Sequence, residues 1–350
     1  MSHNLEPLSA TFPEEMSLNG SPTPGDGPAD GKDAAPMLRG PKRQHFLPRF
    51  YLDGFTRDGL LAVYDRDRNQ IRRQQPINTA VIGHLYTMLD GEGRQRFELE
   101  AFLAECEGKA KPAIEKLCGK ATELSADERS DLAIFIALAA TRTPDMVNSI
   151  QSLNGEMIKH MAKVMFSDVD DVVRQLREDG RNEHASDEAL REQAQIMVQL
   201  ASGDHLTVET DEKWAVGRAI EMALAAAPYL AGRHWRVVHR ANETMSFVTA
   251  DAPVYLGTVR LKPSPYAVGL GSPDAFISFP LHQSCVLEMF GQTGLLEHRV
   301  AGRSYMRMAN RHFAKRCQRF VVGRDEAHLA SLARQTGLAA SEWKPKFRMN

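Results

Sequence analysis

The chain has 350 residues, 43% hydrophobic and 25% charged, with a formal net charge of −2. That is ordinary globular material, enough for a sizeable core in one large domain or two small ones. A charge so close to zero excludes binding nucleic acid through bulk electrostatics and leaves only local patches to do so. The small net charge hides an asymmetry: residues 1–40 carry Glu6, Glu14, Glu15, Asp26, Asp30 and Asp33 against Lys32 and Arg39.

Residues 1–40 also hold six prolines and five glycines with almost no aliphatic clustering. Such a segment cannot bury enough apolar surface to offset its ordering entropy, so it reads as a disordered acidic leader. It lacks a charged start followed by an apolar run and is not a secretory signal. Next comes "KRQHFLPRFYLDGF" (42–55), a histidine followed by a tight run of aromatics. "LLAVYDRDRNQIRRQQP" (60–76) reads as two short strands around a polar turn at Asp67–Asn69. Over 97–117, Leu99, Phe102, Leu103, Cys106, Ala110, Ala113, Ile114 and Leu117 recur at helical spacing, with Pro112 expected to kink or interrupt the helix. Ser125 and Glu128 form a capping box for a helix that is nearly all apolar over 132–140. That run is far short of the roughly 18 residues that suggest a membrane span.

Thr143–Pro144 opens a further helix over 145–165. Helices follow near 168–179, over 187–202 after the cap Ser186, and over about 211–231 after the cap Thr210. The last third changes character. Residues 234–256 read as two strands around "ANET", and 275–291 as two more around "LHQS". A helix over 299–316 then leads to the strand "RFVVG". Helices gathered in one segment and strands in another indicate an α+β fold, a central helical layer followed by a C-terminal antiparallel sheet in a single domain of one or two lobes. Cys106, Cys118, Cys285 and Cys317 form no C-x-x-C pair, fit no zinc spacing and sit in apolar stretches. These features predict a soluble cytoplasmic protein in a reducing compartment, with no membrane partner.

There is no Walker loop, G-x-G-x-x-G, G-x-S-x-G, H-E-x-x-H or deaminase signature. What remains is polar residues where apolar ones would be expected. His45 sits among Phe46, Leu47, Pro48, Phe50, Tyr51, Leu52 and Phe55. It is a general base, a metal ligand or a satisfied structural histidine. Glu100 and Glu107 are two helical turns apart on one face, able to reach a divalent cation or to lie solvated, with Lys111 placed to pair with Glu107. Arg142 ends the apolar helix, where it meets the negative end of the helix dipole or binds an anion. Asp251 follows a strand two residues before Pro253, as a turn former or a rigidly held carboxylate. Arg303, Arg307, Arg311, Lys315 and Arg319 form an i, i+4 ladder, and 301–320 contains no acidic residue. The ladder tracks a phosphate backbone or is a solvated face.

"HFLPRFYLDGF", "ATRTPD", "FVTADAPV" and "FISFPL" occur in the order and spacing of the uncharacterised bacterial family called domain of unknown function 4238. The resemblance covers about 42 to 325, and implies a domain over 41–325 and a C-terminal extension over 326–350. The family pattern falls on His45, Pro48, Leu52 and Phe55, on Glu100 and Glu107, on Arg142 and Pro144, on Asp251 and Pro253, and on Pro280 and Leu281. Ala250 stands where the family usually has serine, and His282 and Gln283 replace a small residue and proline. The resemblance implies positions but no mechanism.

One histidine, three carboxylates and one arginine are costly to bury unless mutually satisfied, which suggests a shared site. The first expectation is a metal-dependent phosphodiester hydrolase, with a nuclease as its specific form. Glu100, Glu107 and Asp251 would hold Mg²⁺ or Mn²⁺, His45 and Arg142 would act beside them, and the 303–319 ladder would bring nucleic acid. The second is a non-catalytic binding or regulatory module in which the constellation is a buried polar network.

Overall fold

A computed structural model describes residues 40–179, 182, 184–203, 207–260 and 268–338. The acidic leader, apart from Gly40, and the end of the 326–350 extension lie outside the described residues. In chain order the elements are β1 (Arg43–His45), α1 (Arg49–Asp53), β2 (Leu61–Asp65), β3 (Gln70–Gln74), β4 (Val81–Gly83), β5 (Met88–Leu89) and β6 (Gln95–Arg96). The helices α2 (Glu98–Cys118), α3 (Ala126–Thr141), α4 (Pro144–Met165), α5 (Val169–Glu178), α6 (Asp187–Ser202) and α7 (Glu212–Ala231) follow. Then come β7 (His234–Arg240), β8 (Thr249–Ala250), β9 (Tyr255–Thr258), β10 (Ala275–His282), β11 (Cys285–Phe290), β12 (Leu296–Ala301), α8 (Arg303–Arg316), β13 (Phe320–Gly323) and α9 (Glu326–Thr336). The fold is α+β.

Two larger sheets carry the architecture. One has five strands in the order β12-β7-β11-β10-β9, and the other has four in the order β3-β2-β13-β8. The hairpin expected around "LHQS" is present, with Ile277 opposite Met289 and His282 opposite Cys285. So is the β2–β3 hairpin, turned at Asn69 with φ 50°. Two short pairs, β1 with β4 and β5 with β6, complete the strands among the described residues.

The opening aromatics are a packing device. Phe46, Leu47, Tyr51, Leu52 and Phe55 are buried. Tyr51 stacks on Phe279 of β10 at 5.2 Å between ring centroids, and Phe135 of α3 lies 6.0 Å from Phe279. The Tyr51 hydroxyl shares a 2.6 Å hydrogen bond with the Thr249 hydroxyl. Thus α1 is wedged between the buried helix α3 and the sheets. The capping box of α3 forms as expected: Ser125 Oγ accepts from Glu128 N at 3.1 Å, and Glu128 Oε2 accepts from Ser125 N at 3.0 Å.

The chain divides into two compact units, one of residues 146–215 and the other of the described residues on either side. Within 146–215, α5 and α6 are joined by Arg191–Asp170 at 2.7 Å and Arg177–Asp187 at 2.6 Å, and Val172, Leu190, Ala194 and Ala201 are buried.

Several expected elements differ. Pro112 lies inside α2 without ending it. The start of α7 is capped by Asp211, whose Oδ1 accepts from Lys213 N at 2.7 Å; Thr210 instead exchanges hydrogen bonds with Gln151. The strands on either side of "ANET" do not pair with each other. Both edges of β7 are taken by β11 and β12, and the returning chain crosses to the four-stranded sheet as β8. Residues 299–301 are strand and not helix: β12 runs parallel to β7, and α8 starts only after Gly302. The region after 325 is no mere extension. In α9, Leu329, Leu332 and Ala333 enter the same core as Tyr64, Phe247 and Phe313. No described helix is long and apolar enough to cross a membrane.

Candidate functional site: a buried arginine network and an exposed basic helix

Helix α2 buries Leu99, Leu103, Ala110, Ala113, Ile114 and Leu117. That stripe leaves Glu100 and Glu107 on its flank, both partly buried. Arg142 is the C-cap of α3 and is only 1% exposed. A buried guanidinium is tolerated when a carboxylate meets it. Here Arg142 Nη2 donates to Glu107 Oε1 at 2.7 Å. Burial works against the charged arginine, but Glu107, then Tyr86 and Glu100, outweigh it and raise its pKa further. Lys111 does not pair with Glu107 as the sequence suggested; it lies 3.8 Å from Glu115, because Glu107 turns inward.

His45 and Tyr86 join the same field. His45, in β1, has its pKa lowered by burial, opposed by a hydrogen bond to the Ile77 backbone and by the charge of Glu107. Tyr86 is buried and held well above the usual phenol range by burial. Glu100 is raised by burial and then by Glu107, while Arg142 draws it down. Four buried atoms around the pair, His45 Nε2, Tyr86 Oη, Thr141 Oγ1 and Arg142 Nε, have no hydrogen-bond partner among the described residues. Buried polar atoms are seldom left so. Tyr86 is positioned by Gln44, whose Oε1 accepts from Tyr86 N at 2.6 Å while its Nε2 donates to Thr87 at 3.1 Å. Sequence reasoning missed both residues. Neither stands in a motif, and only the β1–β4 pairing brings them near α2 and α3.

Asp251 has a different task. It is 5% exposed, and its two oxygens accept from Gln318 N at 2.9 Å and Arg319 N at 2.7 Å. Its own N–H donates to Phe320 O at 3.2 Å. The carboxylate therefore fastens the end of β8 to the turn that leads into β13. Glu100, Glu107 and Asp251 do not converge as a ligand set. No group of three or more His, Cys, Asp or Glu placed to hold a metal ion occurs among the described residues. The physical reason is visible at Asp251, whose two oxygens already serve backbone donors.

The basic ladder is helical through Lys315 only. Helix α8 ends at Arg316, and Arg319 lies in the turn held by Asp251. Met306, Ala309, Asn310, Phe313 and Ala314 form the buried face of α8, which forces Arg303, Arg307, Arg311 and Lys315 outward, all exposed. None of the four has a carboxylate within ion-pair distance among the described residues; Arg311 donates to Gln335 at 2.9 Å. A cavity of about 460 Å³ runs between α8 and α9 past Arg303, Arg307, Arg324 and His328. A second of about 460 Å³ lies along Arg307, Arg311, His312 and Lys315.

One contact joins distant cysteines. Cys118 Sγ and Cys285 Sγ are 3.0 Å apart, 167 residues apart in sequence, both as free thiols.

A family model described as "Protein of unknown function (DUF4238)" matches residues 43–327. No curated protein matches, and no solved structure matches.

Two outcomes follow from this geometry. Replacing Glu107 by Ala strands a buried guanidinium and is expected to cost about 3 kcal/mol, whereas Glu107→Ala with Arg142→Met costs less than the two single changes together. Urea unfolding of the four proteins checks it, and strict additivity would mean that the pair is not coupled. Burial raises Asp251 to about 6 from 3.8. The folded state then holds a proton that the unfolded state has lost between those values, so stability falls as pH rises through that window and is level above it. Unfolding free energies of wild type minus Asp251→Asn should therefore decline by about 2–3 kcal/mol from pH 4 to 7. A flat difference would show that the carboxylate is ionised throughout.

Proposed function

For a chain that belongs to the DUF4238 family, whose description assigns no activity, we propose a non-catalytic nucleic-acid-binding module that grips the phosphate backbone with α8. The observation that carries this reading is the exposed, carboxylate-free row Arg303, Arg307, Arg311 and Lys315, flanked on both sides by cavities. Four such cations at helical spacing make backbone contacts without reading sequence. The row offers no exposed aromatic side chain on which unpaired bases would stack, which favours a duplex over a single strand. The Arg142–Glu107 network is then structural, a polar tie between α2 and α3.

A second reading, metal-dependent phosphodiester hydrolysis, is favoured by the unpartnered His45 Nε2 and Arg142 Nε beside Glu107. Mg²⁺ or Mn²⁺ is often held by only one or two carboxylates together with substrate phosphate oxygens, a role open to Glu100 and Glu107. His45 would act there as general base and Arg142 would stabilise the developing anion. It ranks second because Glu107 is already committed to Arg142 and Asp251 to the backbone.

Fluorescence anisotropy with a labelled duplex across a salt series tests the first reading. Log K against log[salt] should have a slope of about −3 to −4, and Arg307→Ala should reduce its magnitude by about 1. No binding at low salt, or an unchanged slope in Arg307→Ala, would reject α8 as the interface. For the second reading, Mn²⁺ should raise the melting temperature of wild type but not of Glu100→Gln, and a duplex should be cut only with metal present. Equal shifts in both proteins would remove it.

A further inference from the structure

At one end of the two large sheets a third cavity, of about 430 Å³, is lined by three arginines from three separate segments. Arg57 comes from the loop after α1, Arg240 from the last position of β7, and Arg324 from the residue after β13. The Gln283–Ser284 turn ties the segments of Arg57 and Arg240 together, and the Arg324 side chain reaches the same glutamine. Gln283 N donates to Gly54 O at 3.1 Å, Gln283 Nε2 to Thr56 O at 3.0 Å, and Arg240 N to Ser284 O at 2.8 Å. The guanidiniums are therefore gathered by the fold, and their proximity is not an accident of long side chains.

Their local partners leave much of that charge uncompensated. Among the described residues Arg240 Nη1 donates only to the Met245 carbonyl, at 3.3 Å. Arg324 donates to the Glu243 carbonyl and, at 3.4 Å, to Gln283 Oε1. Among the described residues only Arg57 is within ion-pair distance of a carboxylate, Asp325 at 3.6 Å, a loose pair; Asp325 and Glu243 partly offset the charge of Arg324 from further away. The Glu243 side chain also lines the cavity and is exposed. Gathering like charges is unfavourable, and its mark is present: the Arg324 pKa is lowered by burial, then by Arg240 and Arg57. His282 also lines the cavity. Its pKa is lowered by burial and then by Arg240, so it is neutral near pH 7. Its Nδ1 accepts from Ser284 N at 3.1 Å, which leaves the proton on Nε2 as a further donor.

We infer that Arg57, Arg240 and Arg324 form a binding site for a phosphate-class oxyanion, with His282 as an additional donor. Three planar forks carried by three separate segments suit a tetrahedral dianion, which accepts on several oxygens at once; a flat carboxylate is satisfied by one or two forks in its plane. The site stands apart from the proposed duplex surface. It shares Arg324 with the α8–α9 cavity but uses none of the four cations on α8. It therefore holds whether or not α8 binds nucleic acid.

Isothermal titration of the full chain with inorganic phosphate at pH 7.5, at constant ionic strength with chloride as control, tests it. Saturable one-to-one binding is expected, at least about tenfold weaker in Arg240→Gln and in Arg57→Gln and unchanged in Arg311→Gln. Arg57 is exposed, so its variant keeps the test valid if loss of the Arg240–Met245 bond prevents folding. Absence of saturable binding, or wild-type affinity in Arg57→Gln, overturns the assignment. A duplex with 5′-phosphate that binds more tightly than its 5′-hydroxyl counterpart, with the gain abolished by inorganic phosphate, would assign the site to a nucleic-acid end. Equal binding of the two duplexes alongside saturable inorganic phosphate would assign it to small phosphates.

Discussion

Strand β2 lies beside β13, with Leu61–Asp65 running antiparallel to Phe320–Gly323 and Val63 opposite Val322. Residues 66–319 intervene between them, and that whole stretch must leave and return for this pair to form. The entropy of closing so long a loop is set against the burial of Leu61, Val63, Val321 and Val322, each at most 1% exposed. The closure is reinforced on the other edge of β13 by β8 and by the Asp251 carboxylate. It is reinforced from above by α9, and the Tyr64 hydroxyl donates to Leu338 O at 2.8 Å. The start and the end of the family-matched region are thus one structural object, and α8, which immediately precedes β13, inherits its position from that pairing.

Among the described residues two arginines, Arg142 and Arg233, are buried, and their guanidiniums are held in different ways. Arg233, 0% exposed, has no carboxylate within ion-pair distance among the described residues; its guanidinium donates to the carbonyls of Leu270, Ser272 and Ala275 at 2.8, 2.7 and 3.2 Å. Burial lowers its pKa. Arg142 meets Glu107, and its pKa is raised. The first arrangement splints a loop with neutral acceptors. The second places a buried ion pair between α2 and α3, and Lys116 with Glu128 forms a second, more exposed pair across the same two helices.

Legibility from sequence followed the range of the interaction. Local signals came through: the capping box at Ser125, the polar turn at Asn69, the apolar period of α2 and the buried run in α3 all depend on residues within a few positions of one another. Failures came where a partner distant in the chain decided the outcome. "LEHRVA" became β12 because β7 presented a free edge, not because its own pattern alternates. The segment after "ANET" could not pair with β7, whose edges were filled by later strands. The flagged residues fared likewise. That Arg142 and Glu107 belong together was within reach, since both were marked and both end up at the α2–α3 contact. That Asp251 serves backbone groups of 318 and 319 was not, since nothing near Asp251 names its acceptor role. Tyr86, Gln44 and the arginines at 57, 240 and 324 carried no signal at all, because each is unremarkable in its own stretch.

The near-zero net charge and the basic surface of α8 are reconciled by where the carboxylates go. Glu297 pairs with Arg236, Asp274 with Arg260 and Asp65 with Arg72, each neutralising a cation on a strand or its flank. Helix α8 contains no acidic residue. Its buried face consists of Met306, Ala309, Phe313 and Ala314 in the core shared with β2, β13 and α9, so it cannot rotate to hide the cations. A helix that must bury one side and has only Arg, Lys, Ser and Met for the other presents positive charge whatever the total for the chain. Composition averages over that partition, and the fold undoes the average.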